Sequence, residues 1–395
     1  MHVAYLHYLY GADTALHHVR QFAEAARDLG HRVDVHAMNL APPPQDGGGP
    51  LPASARLRQA LKQRFGRYLH TPKELLWNLR YIGKETDLLR RDPPDVLLVR
   101  HHDLGISCVP VTRRLGLPLV LEINAPAEES RRYHDEHLHW PSAQEWAGRF
   151  KIRRAEAIVT VSSYLATYLS EHYSVGRERI TVAANGADLE RFRPDTPPDD
   201  AFPRREATPR IAFVGSFQKF HGLDLLAEMV CRVVVQQPSA RFLFVGGGAG
   251  AEDLQHRVGH TDRVDFTGQV PHERVPALLA SADIAVIAEA APHQCPLKLI
   301  EFMAAGKAIV APHYEPIAEL LRNGTEGLLF PPRDTDTLVQ QLVDLAADPL
   351  RRRELGDAAA QRAHSSLAWT DNARKVLAAC DAARARHQGR VERPR

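Results

Sequence analysis

The chain has 395 residues and is poor in three features that would assign it to a specialised class of proteins. Its four cysteines form no CxxC pair and no metal-ligand spacing, which favours free thiols in a reducing cytoplasm. No run approaches the ~18 uncharged apolar residues of a membrane-spanning helix, and the first residues lack the basic-then-apolar layout of a signal peptide. The 50 Lys and Arg nearly balance the 48 Asp and Glu, and this formal charge of +2 argues against a nucleic-acid-binding protein.

Short apolar runs alternate with amphipathic stretches along the whole chain, which is typical of βαβ units and parallel sheets. The runs in the first half predict strands at residues 2–6, 32–37, 96–100, 119–123, 157–161 and 180–183. A second series predicts strands at residues 210–214, 241–245, 264–267, 284–288, 308–311 and 327–330. The predicted fold class is α/β, with two Rossmann-like domains facing across a cleft, where ligands of such sheets usually bind.

The domain boundaries follow from a change in composition. Residues 193–209 are rich in proline and charge and have no hydrophobic period, which is typical of a linker. We therefore expect a first domain at 1–193, a linker at 194–209 and a second domain at 210–368. Residues 369–395 are expected to form a helix that crosses back to the first domain and ends in a basic tail.

The segment 284–310, IAVIAEAAPHQCPLKLIEFMAAGKAIV, carries the most chemical information. It predicts a buried strand, a loop, and a helix that begins near Pro296 and ends at Gly306. The free N–H groups and the dipole of a helix N-terminus bind anions, and Lys298 in the first turn adds a charge. Glu301 is placed to accept hydrogen bonds from two vicinal hydroxyls of a ribose. The alternative is a surface helix with an ordinary Lys–Glu pair.

The same stretch resembles the donor-binding segment of glycosyltransferase family 4, the retaining, nucleotide-sugar-dependent enzymes of GT-B fold. PLKLIEFMAAGKAIVA is similar to the version of that segment that reads "SPLKxxEyMA" in one subgroup. Glu301 occupies the position that holds the donor ribose, whereas His293 stands at the family's first Glu position. The resemblance implies a UDP- or GDP-linked sugar as substrate and no required cofactor or metal ion.

A second motif, FVGSFQKFHGLDLLAEM, is similar to the family's "vGRLxxxKGxdxLieA". Gly215 lets a pyrophosphate approach the backbone closely. Ser216 replaces the family's Arg and His221 its Lys, so Lys219 or a protonated His221 is the candidate substitute cation. The resemblance also implies that residues of three further segments bind the donor. These are Gly247, Val270, Pro296 and Leu297.

The first domain supplies the acceptor-side candidates. The motif beginning YLYGAD places Gly11 where a backbone amide meets the leaving phosphate or the acceptor. Two predicted strand ends carry His101 with His102, and Glu122 with Asn124. Asn124 stands where the family commonly has His, so His102 is the more attractive titratable group; the alternative is that both histidines merely cap strand ends. Trp140 is a candidate stacking surface.

Three further segments have open interpretations. His134 and His137 are one helical turn apart, but without HExxH or cysteine ligands an acceptor contact is favoured over a metal site. The DTD at 334–336 is interpreted as a helix N-cap. Residues 54–69 carry five basic and no acidic residues beside an apolar stripe, so they predict either contact with an anionic inner membrane surface or packing on their own domain.

The sequence therefore predicts a cytoplasmic, metal-independent glycosyltransferase with Lys298, His102 and Asn124 as catalytic residues. Its donor is expected to be a nucleoside-diphosphate sugar, and its acceptor a small molecule, a glycan or a lipid-linked group. Two alternatives remain open, because Ser216 and His221 depart from the family pattern. One is a pseudo-glycosyltransferase that couples cyclitol-like fragments, and the other is a nucleotide-binding scaffold without catalysis.

Overall fold

The computed structural model describes residues 1–9, 14–38, 53–126, 140–204, 208–259 and 262–391, and gives only the backbone of 14, 15, 53–71, 219 and 391. The chain divides into two compact units. The first comprises Met1–Ala183 and Asn372–Arg395, and the second comprises Ala184–Asp371. Residues 184–193, which the sequence analysis assigned to the first domain, therefore belong to the second unit.

The first unit is built on a six-stranded parallel sheet. Its strand order is β2-β1-β3-β4-β5-β6, with β1 His2–His7, β2 Arg32–Ala37, β3 Val96–Arg100, β4 Leu119–Ile123, β5 Ala157–Thr160 and β6 Ile180–Val182. Its helices, numbered in chain order, are α1 Thr14–Asp28, α2 Ala53–Arg91, α3 Cys108–Leu115, α4 Pro141–Ile152, α5 Ser163–Tyr173 and, from Asn372 onward, α13 Trp369–Val391. The central strands are buried along their length, as expected of a sheet covered by helices on both faces.

The second unit repeats the plan with a different strand order. The sheet runs β12-β11-β10-β7-β8-β9, with β7 Arg210–Val214, β8 Arg241–Val245, β9 Val264–Phe266, β10 Ile284–Val286, β11 Ala308–Pro312 and β12 Leu328–Phe330. Its helices are α6 Leu223–Gln236, α7 Ala251–Val258, α8 Val275–Ala280, α9 Leu297–Ala304, α10 Glu315–Leu320, α11 Thr335–Ala347 and α12 Pro349–Ser366. All strand pairs are parallel, which confirms the predicted α/β fold with two Rossmann-like halves.

Aromatic side chains fill the core beneath the sheet of the second unit. Phe213 on β7 and Phe244 on β8 have ring centres 6.1 Å apart, and Phe217 in the loop after β7 packs on both. All three side chains are buried. The loop that follows β7 is therefore anchored to the core by Phe217, and its neighbouring residues are held at the edge of the sheet.

The segment expected to be an interdomain linker is packed onto the second unit. Arg274 makes a bidentate ion pair with Asp199, and the Asp199 amide donates to the carbonyl of Ala277 at 3.0 Å. Arg204 pairs with the carboxylate of Asp283. These contacts explain why a proline-rich and charged stretch is part of a compact unit.

The remaining predicted segments lie on helices or outside the described residues. Residues 54–69 lie within the single helix α2, and their side chains are outside the described residues. Asp334 caps α11 by accepting a hydrogen bond from the Thr337 amide at 3.1 Å, which supports the N-cap interpretation of the DTD. Gly11, His134 and His137 lie outside the described residues. Within the described part of the chain, every helix is too short or too polar to cross a bilayer.

Candidate functional site

The strand order of the second unit defines where a ligand is expected. Successive connections run in one direction from β7 through β8 to β9, and in the other from β10 through β11 to β12. β7 and β10 are neighbours, with Ile211 opposite Ile284. In open α/β sheets the crevice outside the carboxyl ends of the strands at such a reversal is the usual binding position. The loops after Val214 and Val286 flank this point.

The loop after β7 is built around glycines whose backbones approach one another closely. Gly215 has a φ of 149°, which side chains rarely allow, and its amide donates to the carbonyl of Val245 at 3.0 Å. A Cβ atom on Gly246, where φ is 125°, would lie 2.1 Å from the Gly215 carbonyl oxygen. Neither position therefore accepts a side chain, and the two backbones lie against each other at the edge of the sheet.

Helix α9 begins at the same edge. Pro296 is its extended N-cap residue, and the helix ends before Gly306, which has a φ of 65°, as the sequence predicts. Asn185 fixes the approach to the helix, because its side-chain amide donates to the carbonyl of Cys295 at 2.7 Å. The helix interior is apolar and buried, so packing holds the N-terminus of the helix in place.

The Lys298 side chain reaches from the first turn of α9 to the glycine loop. Its ammonium nitrogen lies 3.5 Å from Nδ1 of His221 and 4.9 Å from the centre of the Phe213 ring. A Cβ atom on Gly215 would lie 2.5 Å from the same nitrogen, so glycine at this position leaves room for the ammonium. Burial lowers the pKa of Lys298 to about 8, although the charge of Glu301 opposes this.

Glu301 lies one turn further along α9 and is buried, with its residue only 8% exposed. Its Oε1 is 3.1 Å from Nε2 of His272, and this hydrogen bond raises the pKa of His272 against the effect of burial. Glu301 is thus paired with an imidazole, and Lys298 contacts His221 and Phe213. The interpretation as an ordinary exposed Lys–Glu pair does not describe this arrangement.

The other predicted donor residues differ in their exposure and in their contacts. Ser216 is exposed, and its Oγ is 3.4 Å from Nε2 of His221. The Gly247 carbonyl accepts from the Phe217 amide at 2.9 Å. Val270 and Leu297 are half-buried, at the loop after β9 and at the start of α9. The backbone of Lys219 belongs to a short 3-10 helix, and its side chain is outside the described residues.

In the first unit, Glu122 at the end of β4 is the centre of a buried polar cluster. Its Oε1 is 2.5 Å from the Arg100 guanidinium and 2.9 Å from Nε2 of His18. The Tyr5 hydroxyl donates to Oε2, and the Asn124 amide donates to Oε1 at 2.7 Å. Burial opposes ionisation, but Arg100 and His18 outweigh it and hold the pKa of Glu122 well below its usual value. Glu122 therefore orients Asn124.

The loop after β3 carries His101 and His102 and is fixed by a buried lysine. Lys151 on α4 donates to the carbonyl oxygens of His102, Asp103 and Gly105. Burial and the charge of Lys151 lower the pKa of His101 well below its usual value, so this imidazole is neutral near pH 7. The His102 ring packs on Tyr8, with ring centres 5.3 Å apart.

Trp140 precedes α4 as its N-cap residue and is 51% exposed, which leaves its ring surface accessible. The sequence interpretation missed three positioning residues. His272 and Asn185 were missed because their partners, Glu301 and the carbonyl of Cys295, lie 29 and 110 residues away in the chain. Lys151 was missed because a lysine in an amphipathic helix normally faces solvent.

Each half of the chain matches a sequence model of glycosyltransferases. Residues 16–191 match the family described as Glycosyltransferase Family 4, and residues 208–348 match the one described as Glycosyl transferases group 1. The folded halves and their matches define the class as glycosyltransferases of GT-B fold. Together with the relatives below, they support glycosyltransferase family 4 as the family of this chain.

Curated relatives are distant but similar in kind. The D-inositol 3-phosphate glycosyltransferase of Nocardia farcinica is 29% identical over 62% of this chain and 56% of its own length, so the match spans little more than half of that protein. The phosphatidyl-myo-inositol mannosyltransferase of Mycolicibacterium smegmatis is 24% identical over 88% of this chain and 84% of its own length. Neither relative favours the cyclitol-coupling or the non-catalytic alternative.

Among solved structures, Anabaena HepE in complex with UDP has the same fold. It superimposes with a TM-score of 0.71 and 16% sequence identity, covering 96% of this chain and 99% of that one. HepE has also been solved in complex with UDP-glucose. At this identity the similarity concerns the fold alone.

Proposed function

We propose that the protein transfers a sugar from a nucleoside-diphosphate sugar to a nucleophile of an acceptor, with retention of anomeric configuration. The observation that carries this proposal is the meeting of Lys298, the Gly215 loop and the N-terminus of α9 at the carboxyl ends of β7 and β10. A half-buried lysine, a glycine loop that leaves room beside it and a helix N-terminus together match the needs of a diphosphate. Glu301 adds a buried carboxylate one helical turn away.

Different groups of the site bind different parts of the donor. We infer that Lys298 and the amide groups at the start of α9 bind the two phosphates, while Gly215 lets them approach the backbone. Glu301 accepts hydrogen bonds from the ribose hydroxyls, and His272 holds its carboxylate in a fixed orientation. Val270 and Gly247 are assigned to the nucleobase side. UDP and GDP are the two candidate carriers.

The reaction exchanges one bond at the anomeric carbon for another. The bond from that carbon to the diphosphate oxygen breaks, and a bond to the acceptor oxygen forms on the same face of the sugar. The proton of the acceptor hydroxyl passes to the leaving diphosphate, so no protein nucleophile is required. The chain supplies position and charge: Lys298 stabilises the negative charge that develops on the leaving phosphate.

We assign the acceptor-side groups to the first unit. Asn124, oriented by Glu122, donates a hydrogen bond to a sugar or acceptor hydroxyl. His102 is the candidate titratable group that hydrogen-bonds the acceptor hydroxyl and orients it for proton transfer to the diphosphate. Trp140 offers a ring for stacking. His101 is a neutral hydrogen-bonding group rather than a base, because its imidazole is buried beside Lys151.

The relatives bear on the acceptor through their names alone. One is named for inositol phosphate and another for phosphatidyl-myo-inositol. We propose a small-molecule, glycan or lipid-linked acceptor bearing a free hydroxyl, and an intracellular site of action without a metal requirement. If the acceptor is lipid-linked, the basic stretch at 54–69 is the candidate contact with an anionic membrane surface.

The test begins with the donor. Differential scanning fluorimetry and titration calorimetry with UDP, GDP, ADP and CDP, followed by their sugars, identify the ligand because binding to the folded state alone raises the melting temperature. At a ligand concentration of 100 times Kd the stabilisation is about 2.7 kcal/mol. We expect UDP or GDP to bind with a clearly higher affinity than the other nucleoside diphosphates. Absence of binding by every nucleoside diphosphate would refute the proposed function.

A further inference from the structure

The loop after β7 lacks both cations that the family pattern would place there, and one of the replacements contacts Lys298. His221 stands at the end of a 3-10 helix and is half-buried between the rings of Phe213 and Phe220. Its Nδ1 is 3.5 Å from the Lys298 ammonium, and its Nε2 is 3.4 Å from Oγ of Ser216. The imidazole thus lies between an ammonium and a hydroxyl.

The chemistry of these groups fixes the direction of the hydrogen bonds. An ammonium has three donors and no acceptor, so Lys298 donates and Nδ1 of His221 accepts. An imidazole that accepts at Nδ1 carries its proton on Nε2 and is neutral. It then donates from Nε2 to the Ser216 hydroxyl oxygen. His221 consequently contributes no positive charge in this arrangement.

We propose that His221 is a positioning residue, whose neutral imidazole holds the Lys298 ammonium above Gly215, so that Lys298 serves as a cation of the site. This inference rests on the proposed function, since it concerns the same diphosphate site. It also gives a reason for histidine at position 221, where the family pattern has lysine. A lysine ammonium there would repel the Lys298 ammonium, which lies against His221.

The surroundings support a neutral His221. Burial and the adjacent Lys298 charge lower the pKa of His221 to about 2, so it stays unprotonated throughout the physiological range. Two carboxylates on neighbouring elements have other partners. Glu301 pairs with His272, and Glu289, whose Cβ adjoins Gly222, accepts from the hydroxyl of Tyr314 at 2.8 Å.

The primary test measures the pKa of Lys298 without any ligand. Pulse labelling of lysines with acetic anhydride at pH 6 to 10, read at residue 298 by peptide mass spectrometry, gives the midpoint of its deprotonation. Wild type is expected near pH 8. His221→Asn retains an acceptor close to the position of Nδ1, so its midpoint should remain near that of wild type. His221→Lys should lower the midpoint by one pH unit or more, because like charges disfavour the ammonium.

A second measurement concerns the phosphate. Calorimetric titration with UDP and GDP at pH 7.5 should show an affinity about tenfold lower for His221→Leu, which offers no acceptor, and within about threefold of wild type for His221→Asn. Gln218→Ala, an exposed side chain in the same loop, is the matched control for folding and loop integrity.

The outcomes separate the two ideas. If His221→Lys leaves the Lys298 midpoint unchanged, or binds the nucleotide more tightly than wild type at every pH, His221 is not a neutral support and the inference is wrong. If His221→Leu binds as wild type does, the same conclusion holds. If wild type binds no nucleoside diphosphate, the proposed function fails, while the labelling result still decides whether His221 holds Lys298.

Discussion

Replacing Lys298 by methionine removes the charge but keeps an unbranched side chain of similar length beside Phe213 and Gly215. With its pKa lowered to about 8, the wild-type side chain carries its charge in about nine of ten molecules at pH 7. A hydrogen bond to a charged group contributes about 1.5–3 kcal/mol, so the affinity for UDP or GDP should fall by about 10-fold to 150-fold.

The effect on turnover should be larger than the effect on binding. The leaving diphosphate gains negative charge in the transition state, and removal of one group that stabilises such charge costs about 2.7–4 kcal/mol. We therefore expect kcat of Lys298→Met to fall by about 100-fold to 1,000-fold. The assay is release of the nucleoside diphosphate from the donor that the binding panel identifies, with Kd measured separately by calorimetry.

Lys307 provides the matched control in the same unit. It is buried, its ammonium donates to the carbonyl of Ala282 at 3.0 Å, and burial lowers its pKa to about 8. It precedes β11 and therefore lies at the amino ends of the strands, away from the proposed diphosphate site. Lys307→Met should leave nucleotide affinity within about twofold of wild type while lowering thermal stability. Equal nucleotide affinity in Lys298→Met and wild type would refute the reasoning.

Four further outcomes follow from the same geometry. Glu301→Gln should weaken UDP binding by about tenfold and pyrophosphate binding less in parallel calorimetric titrations, because the ribose contact is lost whereas the missing charge acts on the diphosphate only through the pKa of Lys298. Between pH 7 and 9.5 the affinity for UDP should fall as pH rises through about 8, since the Lys298 ammonium loses its proton there, and the Lys298→Met variant should lack this limb. Asn124→Ala should lower kcat with UDP affinity unchanged, measured in the turnover and calorimetric assays. Glu122→Gln should lower the free energy of unfolding by about 3 kcal/mol in urea titrations, because Arg100 and His18 lose a buried partner charge.

The strands of both sheets could be predicted closely from the sequence. The central strands are short apolar runs that are buried on both faces, such as VLLVR at Val96–Arg100. The bounds of α9 could be predicted equally well, because Pro296 and Gly306 mark its two ends. Local chemistry and the global fold agree at these positions, so a single sequence suffices.

The boundary between the units was harder to predict from the sequence. The stretch at 194–209 has the composition of a linker, yet ion pairs such as Arg274 with Asp199 bind it to the second unit. Partners 75 residues apart cannot be matched from composition. The same limit applies to the Glu122 cluster, which unites side chains from four elements, and to the contact of His221 with Lys298 across 77 residues.

The two substitutions in the loop after β7 are best understood together with α9. A lysine at position 221 would bring a second ammonium to about the place where the imidazole now meets Lys298. Two like charges about 4 Å apart repel by about 4 kcal/mol at the effective dielectric constant of a protein surface, which exceeds the contribution of a typical charged hydrogen bond. The histidine is therefore compatible with Lys298 in a way that lysine is not. Lys298 of α9 therefore brings a positive charge to the site, and the loop after β7 provides the neutral acceptor that holds it.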